Sequence, residues 1–204
     1  MITAFRTIKQ ATEGLFKEKG SKFYSFAIPV TSEEEIKQQL DLLRKKYFDA
    51  SHHCYAYVLG ADKSLHRAND DGEPNHSAGD PILGIIRSRE LTNILIVVVR
   101  YFGGTKLGVG GLIQSYKQAA DLALQNAAII DVEIKAYYQL NFSYEQTAEV
   151  MRLIKSFEAE ITQQYFTSDC EMQIALTINQ ANQWEEKVDL LNKTGHKIIM
   201  REIK

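Results

Sequence analysis

Cysteine and proline are scarce in this chain, two and three among 204 residues. Cys54 and Cys170 stand far apart, form no C-x-x-C pair and are too few for a disulfide framework, which points to a reducing compartment. The missing C-x-x-C also leaves a deaminase-type zinc site incomplete. No apolar run approaches membrane-spanning length. The opening MITAFRTIKQ lacks the charged start, apolar core and small-residue cleavage site of a secretory leader. A cytoplasmic protein with no membrane partner is the expectation. An excess of either charge is absent too: 24 Lys and Arg stand against 26 Asp and Glu, a formal charge of −2. The balance holds in both parts, 16 against 16 up to Glu133 and 8 against 10 beyond it. Nucleic acid finds no global basic field here, so any RNA contact needs a local patch.

What is present is the composition of a globular chain, 45% hydrophobic and 25% charged, long enough for one large or two small domains. Strands are expected at Phe5–Lys9, Leu15–Lys17 and Phe23–Val30, with a turn at Lys19-Gly20-Ser21. Ser32, with Glu35 three residues on, forms a capping box for a helix whose buried stripe is Ile36, Leu40, Leu43 and Tyr47. Glu33–Glu35 open that helix and Arg44–Lys46 close it, as its dipole favours. A strand at Cys54–Leu59, a polar loop from Gly60 to Gly79 and a strand ending at Val99 come after it. Ile94-Leu95-Ile96-Val97-Val98-Val99 is continuously apolar, as expected of a strand covered on both faces.

Past Asp131 the pattern restarts. Tyr137–Phe142 alternates as a strand, and Glu145–Glu158 reads as a helix burying Ala148, Met151, Ile154 and Phe157. Strands at Ile161–Phe166 and Met172–Ile178 come next. Then a helix marked by Trp184, Val188 and Leu191 stops at Gly195, before a last strand at Lys197–Glu202. The order βαββαβ is the ferredoxin-like plan, two helices on one face of an antiparallel sheet. The expected division is 1–133 and 134–204, in an α+β chain.

Two segments carry chemistry. Arg100–Leu112, RYFGGTKLGVGGL, empties a buried strand through glycines into a helix expected from Leu112 to Ala127. Its buried face holds Leu112, Tyr116, Ala119, Ala120, Ala123 and Ala127. Such a junction collects free backbone N–H groups at the positive end of a helix dipole, where anions bind. Arg100, Gly103, Gly104, Lys106, Gly108, Gly110 and Gly111, with Arg67 nearby, are the candidates for a phosphate or RNA. The run is neither a Walker A loop, since Val109-Gly110 follows Gly103–Gly108, nor a dinucleotide fingerprint, since Ile113 takes the third glycine position. The second reading of these glycines is tight turns and close helix–strand packing.

Asp70–Leu83, DDGEPNHSAGDPIL, gathers carboxylates with a histidine. Asp70, Asp71, Glu73 and Ser77, with His52, form a possible polar cluster for acid–base work or for capping turns. The EF-hand spacing is absent, and no metal or cofactor is expected. In Ser51–Tyr57, alternation puts His52, Cys54 and Ala56 on one strand face and His53, Tyr55 and Tyr57 on the other. Cys54 reads most simply as a small buried hydrophobe.

Taken together, HHCYAY, DDGEP…AGDPIL and VVVRYFGGTKLGVGGL resemble the IMPACT family, and the whole length is similar to its bacterial YigZ-type members. The resemblance implies an N-terminal domain of the ribosomal-protein/elongation-factor domain IV type and a C-terminal domain similar to the last domain of elongation factor G. It also implies a link to translational control, the work of the eukaryotic relatives. One departure stands out. Where the family reads Gly-Glu-Pro, a small residue, then Gly-Thr-Ala-Gly, this chain has Asn75 and His76 after Gly72-Glu73-Pro74, followed by Ser77. The functional expectation is a protein that binds RNA or ribosome-associated factors. The alternative is an enzyme or small-ligand binder seating a phosphate in Gly103–Gly111.

Overall fold

The computed structural model describes residues 2–167 and 169–203. The chain divides into two compact units, one of Ala4–Val132 and one from Glu133 onward that also takes in the residues before Ala4. The N-terminal unit runs β1 (Ala4–Ile8), β2 (Thr12–Glu18), β3 (Ser21–Pro29), α1 (Glu33–Lys46), β4 (His52–Leu59), β5 (Leu65–Asn69), α2 (Gly79–Ser88), β6 (Ile94–Tyr101), α3 (Gly108–Gln125) and β7 (Ile129–Glu133). Five strands make an antiparallel sheet in the order β2-β3-β6-β4-β5, while β1 pairs with β7.

The central strand β6 explains the layering. Ile94, Ile96 and Val98 belong to the core beneath α2 and α3, and Leu95, Val97 and Val99 to the core beneath α1. Each buries its side chain fully, a gain of about 1.5–3 kcal/mol apiece, which is why a continuous apolar run suits a strand covered on both sides. Glu18 pairs with Ser21 across a two-residue turn in which Lys19 and Gly20 have φ of 46° and 82°. Two positive values in succession give the hairpin a type I′ turn, matched to strand twist.

Helix α1 starts at its expected cap, with Ser32 Oγ accepting the Glu35 N–H at 3.2 Å. The reciprocal half of the box is displaced by one residue: the Glu35 carboxylate accepts the Thr31 N–H at 2.7 Å, not that of Ser32. Three elements went unread in the sequence. β5, Leu-His-Arg-Ala-Asn, shows no apolar alternation because it is an edge strand with no fully buried residue. α2 looks like turn punctuation, but Pro81 sits in its first turn, where a missing N–H costs nothing, and Ile82, Leu83 and Ile86 are buried. β7 lies in the stretch taken as a domain junction. α3 begins at Gly108, four residues before the expected Leu112, so Gly108, Gly110 and Gly111 are helical rather than loop residues.

The C-terminal unit runs β8 (Lys135–Phe142), a 3₁₀ turn at Tyr144–Gln146, α4 (Thr147–Ser156), β9 (Glu160–Phe166), β10 (Cys170–Thr177), α5 (Ala181–Lys193) and β11 (Ile199–Ile203). Its sheet is antiparallel in the order β11-β8-β10-β9. Ala136, Tyr138, Leu140 and Phe142 alternate inward from β8, and Trp184 is fully buried edge-on to Phe157, 5.4 Å between centroids. The expected stripe on α4 needs correcting: Val150 and Ile154 are buried, Ala148 is exposed and Met151 is 39% exposed. The 3₁₀ turn carries fewer residues per turn than an α-helix and so rotates the phase of the helix after it.

Candidate functional site

β4 and β6 lie side by side with His52 opposite Arg100 and Cys54 opposite Val98. Alternation then sends His52, Cys54 and Arg100 toward the same side of the sheet, the side of α2 and α3. After β5, a turn through Asp71 and Gly72, at φ of 43° and 87°, delivers Glu73 to that side. Its side chain is 3% exposed. Arg100 Nη1 donates to Glu73 Oε1 at 2.5 Å, and the Tyr116 hydroxyl from α3 donates to the same oxygen at 2.7 Å. His52 Nε2 lies 3.9 Å from it, while His52 Nδ1 is 2.8 Å from the Asp71 carbonyl. The guanidinium of Arg100 packs between Phe23 and Phe102, 5.4 and 5.7 Å from the ring centroids. Taking two charges out of water costs several kcal/mol per ion, so this pair persists through its short contact and the extra hydrogen bond from Tyr116.

The loop around Glu73 is built from its own carboxylates. Asp70 Oδ1 accepts the N–H groups of Ala78 and Gly79 at 2.9 and 2.8 Å, and its Oδ2 accepts that of His76 at 2.9 Å. Burial works against the charge on Asp70, but these donors outweigh it and hold its pKa below the usual carboxylate value. The charge sits at the start of α2, where Ala78 has no side chain to cap the helix. Ser77 is fully buried and donates to the Pro74 carbonyl at 2.6 Å. His76 adopts φ of 63°, the left-handed conformation a glycine would take most easily, with Nδ1 2.6 Å from Asp80 Oδ2. The departure from the family pattern therefore sets a histidine in a conformation that favours glycine.

The candidates do not all converge. Arg100, Glu73 and His52 meet, and Asp70 and Asp71 frame them, but Arg67 does not belong. From β5 it pairs with Tyr57 of β4 and shares a cleft under α1 with Glu33, Asp41 and Arg44, on the other side of the sheet. Arg100 is 5% exposed and committed to Glu73. A basic patch of Arg67, Arg100 and Lys106 is thus not assembled, because β5 and β6 send the two arginines to opposite faces. Gly103 packs on the β2–β3 turn and donates its N–H to Ser21 Oγ at 3.2 Å. Gly104 and Lys106 are exposed. At Gly110 an added Cβ would meet nothing within 4 Å, so a need for glycine there is not supported. Cys54 joins the cluster on the strand face it was expected to share with His52, while Tyr116 and Ser21 enter it unannounced. The one visible signal was Tyr116, a hydroxyl-bearing ring in a helix stripe otherwise of alanine and leucine.

Burial pushes the Cys54 thiol and the Tyr116 phenol far up, so both stay protonated. Cys54 Sγ donates to the Asp70 carbonyl at 3.0 Å. Cys54 and Cys170 are both buried and free, so native protein is expected to resist iodoacetamide and to take up two equivalents only after denaturation. Rapid labelling of the folded chain would contradict the buried placement.

His53 faces the other core, 8% exposed, with Nε2 unpartnered among the described residues. Burial lowers its pKa below 6.5, with Asp71 pulling the other way. The unfolded state then binds more protons, so stability is full above about pH 6.5 and falls as acid titrates the unfolded histidine. Denaturation midpoints should decline from pH 7 to 5, and His53→Gln should flatten that decline. An unchanged slope would remove His53 as its source.

Among the described residues, no group of three or more His, Cys, Asp or Glu is placed to hold a metal ion. None of the described helices is long and apolar enough to cross a membrane.

The family profile described as the Impact N-terminal domain matches residues 19–124, the stretch that holds this cluster. The chain belongs to the IMPACT family. IMPACT family member YvyE of Bacillus subtilis is 27% identical over 91% of this chain and 86% of its own length. An IMPACT family member of Haemophilus influenzae is 31% identical over 78% of each chain. A crystal structure of a hypothetical protein aligns with the full chain and 99% of its own, at 25% identity and a TM-score of 0.72. The Saccharomyces cerevisiae IMPACT homolog is 38% identical over 45% of this chain and 36% of that protein. The IMPACT N-terminal domain is thus followed here by a C-terminal unit of mixed helix and sheet, in an α+β fold of antiparallel sheets.

Proposed function

We propose that this IMPACT family member is a cytoplasmic binding protein for RNA or ribosome-associated factors, not an enzyme built on the polar cluster. One observation carries the choice: the cluster is spent internally. The Glu73 and Arg100 side chains are 3% and 6% exposed, and both are occupied by partners within the unit. With thiol and phenol held protonated and Glu73 paired to Arg100, the buried part of the cluster keeps no free base or nucleophile among the described residues. The translational part of the reading rests on the family resemblance, and the sheet order β11-β8-β10-β9 supports a ferredoxin-like C-terminal domain of the elongation-factor type. Fold alone does not establish function. The test is crosslinking in cell extract followed by recovery of the chain. Ribosomal particles or RNA should come with it; a single saturating metabolite and neither of those would reverse the reading.

A second reading keeps one observation in its favour. α3 has no side-chain cap, and an added Cβ at Gly104, Gly108 or Gly110 would meet nothing within 4 Å, which leaves backbone N–H groups accessible for a phosphate beside Lys106. Lys106→Ala should shift stability by less than about 0.5 kcal/mol. If it also leaves calorimetric binding of inorganic phosphate and nucleotides unchanged, the phosphate reading fails.

A further inference from the structure

The α1 side of the N-terminal sheet is only partly covered. α1 packs over Phe26, Val97 and Val99, while the strand ends nearest the β2–β3 turn stay open. There the register sets Leu15 opposite Tyr24, Lys17 opposite Lys22, and Lys22 opposite Tyr101, all on one face. Tyr24 lies 5.8 Å from Tyr47 with ring planes 26° apart, and 6.0 Å from Tyr101 nearly perpendicular to it. Phe102 is 51% exposed at the rim. Two clefts of about 330 and 440 Å³ open on either side of Tyr24, one bordered by Lys22 and Phe102 and the other by Leu15 and Lys46.

The charges argue for a bound anion. Lys17 and Lys22 are directly cross-strand, a like-charge pair that destabilises a sheet unless something neutralises it. Lys46 Nζ stands 5.2 Å from the Tyr47 centroid. The acidic groups at the border are Glu13 and Asp49, and Asp49 is engaged by the Tyr101 hydroxyl at 2.6 Å. That bond pushes the Tyr101 phenol up to about 12, so the ring adds no negative charge at neutral pH.

We propose that this face is a stacking platform for a short single-stranded RNA segment. It rests on the RNA arm of the function proposed above and moves the contact away from the glycine loop. About two bases stack on Tyr24 and Tyr101, as on other sheet platforms, and their phosphates meet Lys17, Lys22 and Lys46. Flat rings interleaved with point charges fit bases joined by phosphates. An acidic peptide would use the lysines and leave the rings idle.

The test is fluorescence anisotropy of the full chain with labelled octa-uridine and octa-adenine. Both should bind, with a slope of log affinity against log salt of about −2, the value for three phosphates on a single strand. Lys22→Glu should weaken binding about tenfold through the lost phosphate contact. Tyr24→Ala should weaken it roughly five- to 150-fold, the range for one lost base stack. Lys117→Glu, exposed on α3 across the sheet, should change nothing. Melts of each variant exclude unfolding as the cause. Binding that both platform variants leave intact overturns the platform and leaves an RNA-binding function elsewhere. No binding at low salt, with ribosome co-sedimentation intact, also overturns the platform alone. Equal binding of an octa-glutamate peptide overturns the assignment to RNA.

Discussion

Replacing Glu73 by alanine is expected to destabilise the N-terminal unit by about 3–5 kcal/mol, the cost of leaving a buried charge without its partner. The partner is Arg100, whose Nε already has no acceptor among the described residues and whose Nη1 would lose Glu73. Tyr116 would lose its acceptor as well, though its hydroxyl keeps the Cys54 Sγ at 3.3 Å. The melting temperature should fall by roughly 10–20 °C for a unit of this size. Trp184, the only tryptophan, lies in the other unit and follows that unit separately in emission. Removing both charges is the decisive arm. Glu73→Leu with Arg100→Met should recover most of the loss, because apolar groups of similar volume can replace a buried pair at little cost. If the double variant melts no higher than Glu73→Ala, the damage is packing and not an orphaned charge. A Glu73→Ala change below about 1 kcal/mol would show that water reaches Arg100 and that the cluster is open.

That cluster was half legible. Arg100, Glu73 and His52 were nameable because charged or titratable residues beside a β-branched run or among glycines stand out against their neighbours. Their union was not legible, because it depends on β4 and β6 being adjacent in the register His52↔Arg100, a long-range fact that local pattern does not encode. Arg67 was misplaced for the same reason. It sits on an edge strand without apolar alternation, so nothing local says which face it takes. β6 shows the opposite case, since a run of six apolar residues has no exposed solution. The surface proposed for RNA was the least visible of all. Lys17, Lys22, Tyr24 and Tyr101 come from three strands, and each alone is an ordinary strand residue.

Gly103→Ala is expected to be among the most damaging single-methyl changes in the N-terminal unit, while Gly110→Val is tolerated. A Cβ on Gly103 would overlap the carbonyl carbon of Gly20 and the nitrogen of Ser21, both backbone and neither able to swing aside. Either the β2–β3 turn or the end of β6 has to move. Movement would break the Gly103 N–H bond to Ser21 Oγ and disturb Ser21 beneath Arg100. Overpacking against side chains costs about 1–3 kcal/mol, and a rigid backbone neighbour puts this site at or above the upper end. At Gly110 the same methyl enters open space in the first turn of α3, and the backbone is helical, where valine is no worse a helix former than glycine, so the change stays within about 0.5 kcal/mol. Paired thermal melts decide between the two. Equal losses at both positions, or a larger one at Gly110, would mean that the glycines serve the helix start and not the close approach of turn to strand. A large loss at Gly103 alone assigns this glycine to packing, and leaves Gly104, Gly108 and Gly110 as the positions where a ligand could approach the backbone.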